Sequence, residues 1–151
     1  YTNSNLQPPM YAGPNSEIKT SIVSEGCQVE GKVEHSVLSK NVVIEEGAVI
    51  KDSIIMEGCH IGKNTVIDRC IIDQNTVIGS NVVMGTGDNI PNEGKPKIYN
   101  TGITVIGNNT NVPDGIEIGK NCVIYGKTVA ENYTDSKLPS GKSVIIIEEG
   151  I

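Results

Sequence analysis

Two histidines, four cysteines and a handful of loop lysines are the residues of this 151-residue chain whose types could do chemistry. Histidine is the commonest general base near neutral pH, so His35 and His60 are the first candidates for proton transfer. A catalytic zinc site keeps three protein ligands. Two histidines in different parts of the pattern do not supply them, and no metal site is expected. Cys27, Cys59, Cys70 and Cys122 form no C-x-x-C pair and read as small buried residues rather than ligands. Gly85-Thr-Gly87 falls short of a phosphate-cradling G-x-x-x-x-G-K-S/T loop. Lys95, Lys97, Lys137 and Lys142 lie in or beside loops, where an ammonium group can grip a phosphate, although a solvated lysine is the commoner outcome. Asp52 and Asp73 read as outward, solvated acids.

The elements that must position these residues come from a repeat. Aliphatic residues recur as Val33, Leu38, Ile44, Ile50, Ile55, Ile61, Ile67, Ile72, Ile78 and Met84, in steps of 5, 6, 6, 5, 6, 6, 5, 6, 6. Three steps make one coil, so Val33, Ile50, Ile67 and Met84 are equivalent. The six-residue steps carry Gly47, Asn64, Asn75 or Asn81 in fourth place, residues that tolerate a left-handed corner. A small or β-branched residue follows: Ala48, Thr65, Thr76 or Val82. The five-residue steps omit the Gly/Asn but keep a small residue (Ser21, Ser36, Ser53, Cys70), so one corner of each coil is tighter than the other two. Three short strands and three corners per coil, stacked about 4.8 Å apart, make an all-β, single-stranded parallel β-helix, a hexapeptide-repeat solenoid. His35 and His60 then face outward. Lys19, Glu34, Lys51 and Asp68 stack into a column of alternating charge. Thr20, His35, Asp52 and Arg69 form the next column, and Cys27, Val42, Cys59 and Thr76 an inward one. Cys27 and Cys59 sit two coils apart, beyond disulfide reach.

The pattern has breaks. Val29 to Val33 is a four-residue step. The register stops after Met84, and residues 85–102, rich in turn formers, read as a loop thrown out of the solenoid in place of part of a coil. Register resumes at Ile106, Val112, Ile118 and Ile124, with corners at Asn109, Gly115 and Asn121. The expected division is a linker over 1–17 with three prolines, the β-helix over 18–130 with the 85–102 insertion, and a C-terminal loop and capping strand over 131–151. The strand Ser143 to Glu148 fits no hexad and is expected to cap the last coil or lie along its side.

Composition agrees. There is no Phe and no Trp, yet hydrophobic residues make up 37%. Ile and Val therefore carry the core, as β-branched residues do in strands. A net charge of −6 leaves no positive face for nucleic acid. No apolar run reaches the roughly 20 residues of a membrane span, and no secretory signal precedes Leu6. The chain reads as cytoplasmic. It starts at Tyr1 rather than Met, which reads as a fragment or a processed chain.

Particular words go beyond the fold. Pro8-Pro9-Met10-Tyr11, Ser24-Glu-Gly-Cys27, Val29-Glu-Gly-Lys-Val-Glu-His-Ser-Val37, Gly47-Ala-Val-Ile-Lys-Asp-Ser-Ile-Ile-Met56 and Ile71-Ile-Asp73 closely resemble the bacterial glucose-1-phosphate adenylyltransferases, in the form of their catalytic-type subunit. The match is good over roughly residues 6–84 and looser beyond. The resemblance implies a left-handed solenoid. It also implies a parent enzyme that makes ADP-glucose and diphosphate from ATP and glucose 1-phosphate, with Mg²⁺, in glycogen synthesis. That chemistry belongs to an N-terminal catalytic domain, so no catalytic residue, cofactor site or metal site carries over to this chain. What the resemblance implies for this chain is tetramer assembly and allosteric control by a sugar-phosphate or related effector; among the loop lysines, Lys95 and Lys97 are the candidate effector contacts. Plant-type relatives place a basic, effector-binding residue just before a Ser-Gly-Ile; here Asn100 stands at that place, a departure from their pattern. The alternative is a stand-alone hexapeptide acyltransferase, trimeric, with His35 as base and an acyl-CoA as donor.

Overall fold

The computed structural model describes residues 9–147. The chain winds into a triangular solenoid with three parallel sheets as its walls. Sheet A stacks Tyr11–Ala12, Gln28–Val29, Val43–Ile44, His60–Ile61, Val77–Ile78 and Asn111–Val112. Sheet B stacks Glu17–Lys19, Lys32–Glu34, Val49–Lys51, Val66–Asp68, Val83–Thr86, Glu117–Gly119 and Lys137–Leu138. Sheet C stacks Ile22–Val23, Val37–Leu38, Ile54–Ile55, Cys70–Ile72, Thr104–Ile106, Val123–Tyr125 and Ser143–Ile145. The aliphatic series points inward as its spacing predicts: Ile44, Ile50, Ile55, Ile61, Ile67 and Ile72 have no exposed surface. Each fully buried Ile contributes about 1.5–3 kcal/mol of apolar burial.

The corners follow two rules. Gly47, Asn64, Asn75 and Asn81 take positive φ, as their residue types predict. The tight corners also turn on one left-handed residue, but here it is Thr20, His35, Asp52 or Arg69, with φ of 47 to 54°. Such backbone is strained for an L side chain. The following small residue compensates in a way that size alone does not convey. The Ser36 N–H donates to Ser21 Oγ, the Ser53 N–H to Ser36 Oγ and the Cys70 N–H to Ser53 Oγ, each at 3.1 Å. A buried hydroxyl ladder thus runs down the tight edge and satisfies backbone groups that the corner removes from the sheets.

Several expectations need correction. The linker ends earlier than residue 17: Tyr11–Ala12 is the first rung of sheet A, and Glu17–Lys19 the first of sheet B. The rest of the proline-rich leader, residues 1–8, lies outside the described residues. The last coil continues beyond 130. Lys137–Leu138 pairs with Glu117 and Ile118, and Ser143–Ile145 pairs in parallel with Val123, Ile124 and Tyr125. Leu138 and Val144 are therefore a hexad with its corner at Gly141, and the final strand is the last rung of sheet C rather than a strand outside the register; Glu148 lies outside the described residues. Tyr133 joins the Ile and Val of the core and bonds Thr128 Oγ1 at 2.8 Å. The 85–102 loop replaces no wall of a coil: Cys70–Ile72 pairs directly with Thr104–Ile106, so the loop stands in place of one tight corner only. Lys19, Glu34, Lys51 and Asp68 do align in register. The ion pairs among the described residues nevertheless form elsewhere, His35 with Asp52 among them.

Candidate functional site

The extruded loop and the corner beneath it bring together several polar side chains. The loop leaves sheet B after Thr86 and re-enters sheet C at Thr104. Between these points it folds down over the two lower rungs and is held by two buried asparagines. Asn121 turns the corner with φ 56°. Its Oδ1 accepts the Gly102 N–H at 2.7 Å, and its Nδ2 donates to Asn89 Oδ1 at 2.6 Å and to the Ile90 carbonyl at 2.8 Å. Asn92 donates from Nδ2 to the Asn121 carbonyl at 2.9 Å and to Ser143 Oγ at 3.0 Å. Its Oδ1 accepts from the N–H groups of Gly94 and Lys95. The Glu93 N–H donates to the Gly141 carbonyl at 2.8 Å. A loop pinned by this many directional bonds is a fixed part of the surface, because each buried amide left unpaired would cost about 1–3 kcal/mol.

Of the lysines, Lys137 and Lys142 pair with Glu117 at 3.9 Å and Glu93 at 3.8 Å. Exposed pairs of this kind stabilise little. Lys95 and Lys97 are exposed and make no ion pair among the described residues. Lys95 edges a shallow pocket of about 190 Å³ with Asn92, Tyr99, Val123, Ser143 and Ile145. Lys97 does not line it, so the structure separates the two candidates that the sequence grouped.

Both histidines face outward, as expected. His35 is exposed and lies 3.4 Å from Asp52 across one rung. His60 Nε2 lies 2.6 Å from Glu45 Oε2. This second pair was missed in the sequence, although the register contains it: Glu45 follows Ile44 and His60 precedes Ile61, and those two isoleucines stack. Asp73 is half-buried, not freely solvated, and its Oδ1 accepts the Gln74 N–H. No group of three His, Cys, Asp or Glu side chains among the described residues is placed to hold a metal ion. No helix there is long and apolar enough to cross a membrane.

All four cysteines are free and buried. Cys27 and Cys59 donate their S–H to the carbonyls of Ser39 and Asp73. Burial pushes every one of these thiols up from its ordinary pKa, Cys70 most strongly. Thiolate is the reactive form, so a thiol reagent at neutral pH is expected to label none of the four until the chain unfolds; labelling of the folded chain would contradict the burial. Folded values lie above unfolded ones, so this contribution to stability is complete below the ordinary thiol range and is lost as pH rises through it toward the folded values.

A family model described as GlmU-like, C-terminal hexapeptide, matches residues 10–106. Among curated proteins, the chain is 48% identical over 145 residues to a glucose-1-phosphate adenylyltransferase of Acetivibrio thermocellus, which covers 96% of the chain and 34% of that protein. It is 52% identical over 149 residues to that of Thermotoga neapolitana, covering 99% of the chain and 35% of the relative. The chain thus spans about a third of the length of the curated relatives it matches. Among solved structures, a GDP-perosamine N-acetyl transferase of Caulobacter crescentus aligns with 91% of the chain and 50% of its own, at 16% identity and a TM-score of 0.34.

Proposed function

Because the chain belongs to the GlmU-like C-terminal hexapeptide family, we propose that it serves as the assembly and regulatory domain of a glucose-1-phosphate adenylyltransferase. The observation that carries this reading is the identity of 48–52% to enzymes of that name, sustained over 96–99% of the chain. In this reading the parent joins ATP and glucose 1-phosphate into ADP-glucose and diphosphate in the cytoplasm, at a nucleotide-binding domain elsewhere in the protein. The residues described here do not fit Mg²⁺ or ATP, since they offer neither a carboxylate cluster nor a phosphate-cradling loop. No chemical step is therefore assigned to them.

The physical role is positional. A solenoid whose rungs are locked by hydrogen bonds and a close-packed core is stiff along its axis. It can hold subunits of a homotetramer and the catalytic domain at fixed spacings. A sugar phosphate bound where it meets that domain then biases the catalytic site by its differential affinity for two arrangements. Lys95, which makes no ion pair among the described residues and edges a pocket, is the better placed of the two candidate contacts.

The protein that contains this chain is expected to release diphosphate from ATP only when glucose 1-phosphate is present, and the 151-residue chain by itself to release none. Replacing Lys95 and Lys97 with Ala in that protein is expected to blunt sugar-phosphate activation while leaving the basal rate unchanged. Acyl transfer by the chain alone, with thiol release from acetyl-CoA that is lost in His35→Ala, would replace this reading with the acyltransferase one. Activation untouched by the lysine changes would remove the effector contacts alone.

A further inference from the structure

The edge where sheet C turns into sheet A is covered corner by corner as far as Asn109. The N–H groups of Asn41, Gly58, Asn75 and Asn109 donate in turn to the carbonyls of Glu25, Lys40, Glu57 and Gln74 in the coil before. The ladder stops there. Residues 108–110 separate Gly107 from Asn111, whereas in the next coil Gly126 alone separates Tyr125 from Lys127, which bridges to Asn111. That coil therefore cuts the corner. Gly126 permits it, with φ 101° and the Ile146 carbonyl where a Cβ would stand. The cut leaves a notch of about 240 Å³ over the Asn108–Asn109 corner, closed on its far side by Ile146 and Ile147.

Three kinds of group meet in the notch. Tyr125, 43% exposed, offers an aromatic ring. A Cβ on Gly107 would run into its Cδ1 and stand 3.3 Å from both Cγ and Cε1. Equal distances of that size mean approach in the ring plane, so the ring stands edge-on to Gly107, which covers neither of its faces. Asn108 and Asn109 are exposed, and their hydrogen bonds among the described residues run through the backbone, which leaves both side-chain amides to the notch. Lys127 is exposed and makes no ion pair among the described residues. An aromatic face takes the C–H side of a saturated ring by apolar contact. Each amide presents donor and acceptor side by side, which matches hydroxyl groups, since these also donate and accept. A single ammonium with no second cation beside it suits a hydroxyl oxygen better than a phosphate, which binding sites usually grip with several donors.

We propose that the notch binds one glucose unit of a neutral oligosaccharide, its ring against Tyr125 and its hydroxyls on Asn108, Asn109 and Lys127. The ligand class, a neutral hexose, comes from the notch itself. That the hexose is glucose rests on the reading above. ADP-glucose carries its sugar on a diphosphate leaving group. The class of reaction that consumes it breaks the bond from C1 to the phosphate oxygen, forms one to an acceptor hydroxyl oxygen and releases ADP, so its products are glucosides. A domain that holds such a glucoside keeps the site that forms the donor close to the acceptor. The notch is smaller than the roughly 300–1,000 Å³ of a drug-sized pocket. It therefore takes a single ring, with a dissociation constant in the millimolar range.

Titration of the 151-residue chain with maltoheptaose, a linear chain of glucose units, followed by two-dimensional NMR, tests it. Saturable shifts are expected at Asn108, Asn109, Tyr125 and Lys127. Tyr125→Ala should weaken binding about tenfold and Asn108→Ala several-fold, whereas Tyr125→Phe, which keeps the ring, should bind as the parent chain does. All of these side chains are exposed, and the spectrum of each variant reports its fold directly. No saturable shift with maltoheptaose overturns the proposal. So does binding that Tyr125→Ala and Asn108→Ala leave unchanged, since the sugar then sits elsewhere. A response to inorganic phosphate that is lost in Lys127→Ala, with none to maltoheptaose, makes the notch an anion site and overturns it too. Glucan binding at the notch in a parent protein that forms no ADP-glucose upholds the site and removes the functional reading instead.

Discussion

Gly31→Ala is expected to lower the melting temperature of the chain by about 4–12 °C, the equivalent of roughly 2–3 kcal/mol for a chain of this size. Gly31 turns the one corner that is two residues short, between Val29 on sheet A and Val33 on sheet B. With so little chain to make the turn, its backbone lies against the coil below. A Cβ here would run into the carbonyl oxygen of Ala48 and stand 3.0 Å from that of Glu45. Both are backbone atoms of the next coil, so relief requires the coils to part, and parting them breaks the hydrogen bond from the Lys32 N–H to the Ala48 carbonyl. Gly94→Ala is the control. Its Cβ would find only Asn92 Oδ1, at an ordinary 3.4 Å, and its melting temperature is expected to stay at that of the parent chain. Equal melting temperatures for the two variants would show that the first two coils yield readily at this corner.

Asn121→Asp is expected to have the larger local effect: it should free the 85–102 loop and cost about 3–5 kcal/mol. The substitution keeps shape and changes only the chemistry. The two Nδ2–H donors disappear, and a carboxylate takes their place against Asn89 Oδ1 and the Ile90 carbonyl, in a site with no exposed surface. A buried charge without a partner is among the few single changes of that magnitude. Limited proteolysis gives the readout. The parent chain should resist cleavage between Gly87 and Gly102, whereas the variant should be cut there first, before the solenoid unfolds. Asn121→Gly separates strain from bonding: glycine suits the left-handed corner better than asparagine does, so loop release in that variant as well would assign the hold to the side-chain bonds. A variant in either form that keeps the loop protected would mean that Asn92 and Glu93 suffice.

The parts of the fold that were legible share one property: a local rule repeated at a fixed interval. Ile44, Ile50 and Ile55 announce the three walls because each is the only inward residue of its strand. Asn64 and Asn81 announce corners because few residues enter left-handed backbone cheaply. Where the interval was stretched, the same rules became unreadable. Leu138 and Val144 are a regular hexad, but the segment around Tyr133 separates them from Ile124, and the spacing no longer points to them. Tyr11 was hidden among prolines, although its rung needs only two residues of strand. Thr20, His35, Asp52 and Arg69 gave no sign of their backbone, since no favoured residue type marks the tight corner and the hydroxyls that compensate for it belong to the following position.

The sequence by itself determined the architecture and the family resemblance, because these depend on residue types and on the spacing along one chain. The tertiary structure alone decided which side chains meet. Glu45 reaches His60, Asn92 reaches Asn121 and Ser143, and Lys95 parts company with Lys97. Such contacts depend on how many residues each coil consumes and on where the extruded loop comes to rest. Both are settled by the summed packing of all the coils, and no single stretch of sequence contains that sum.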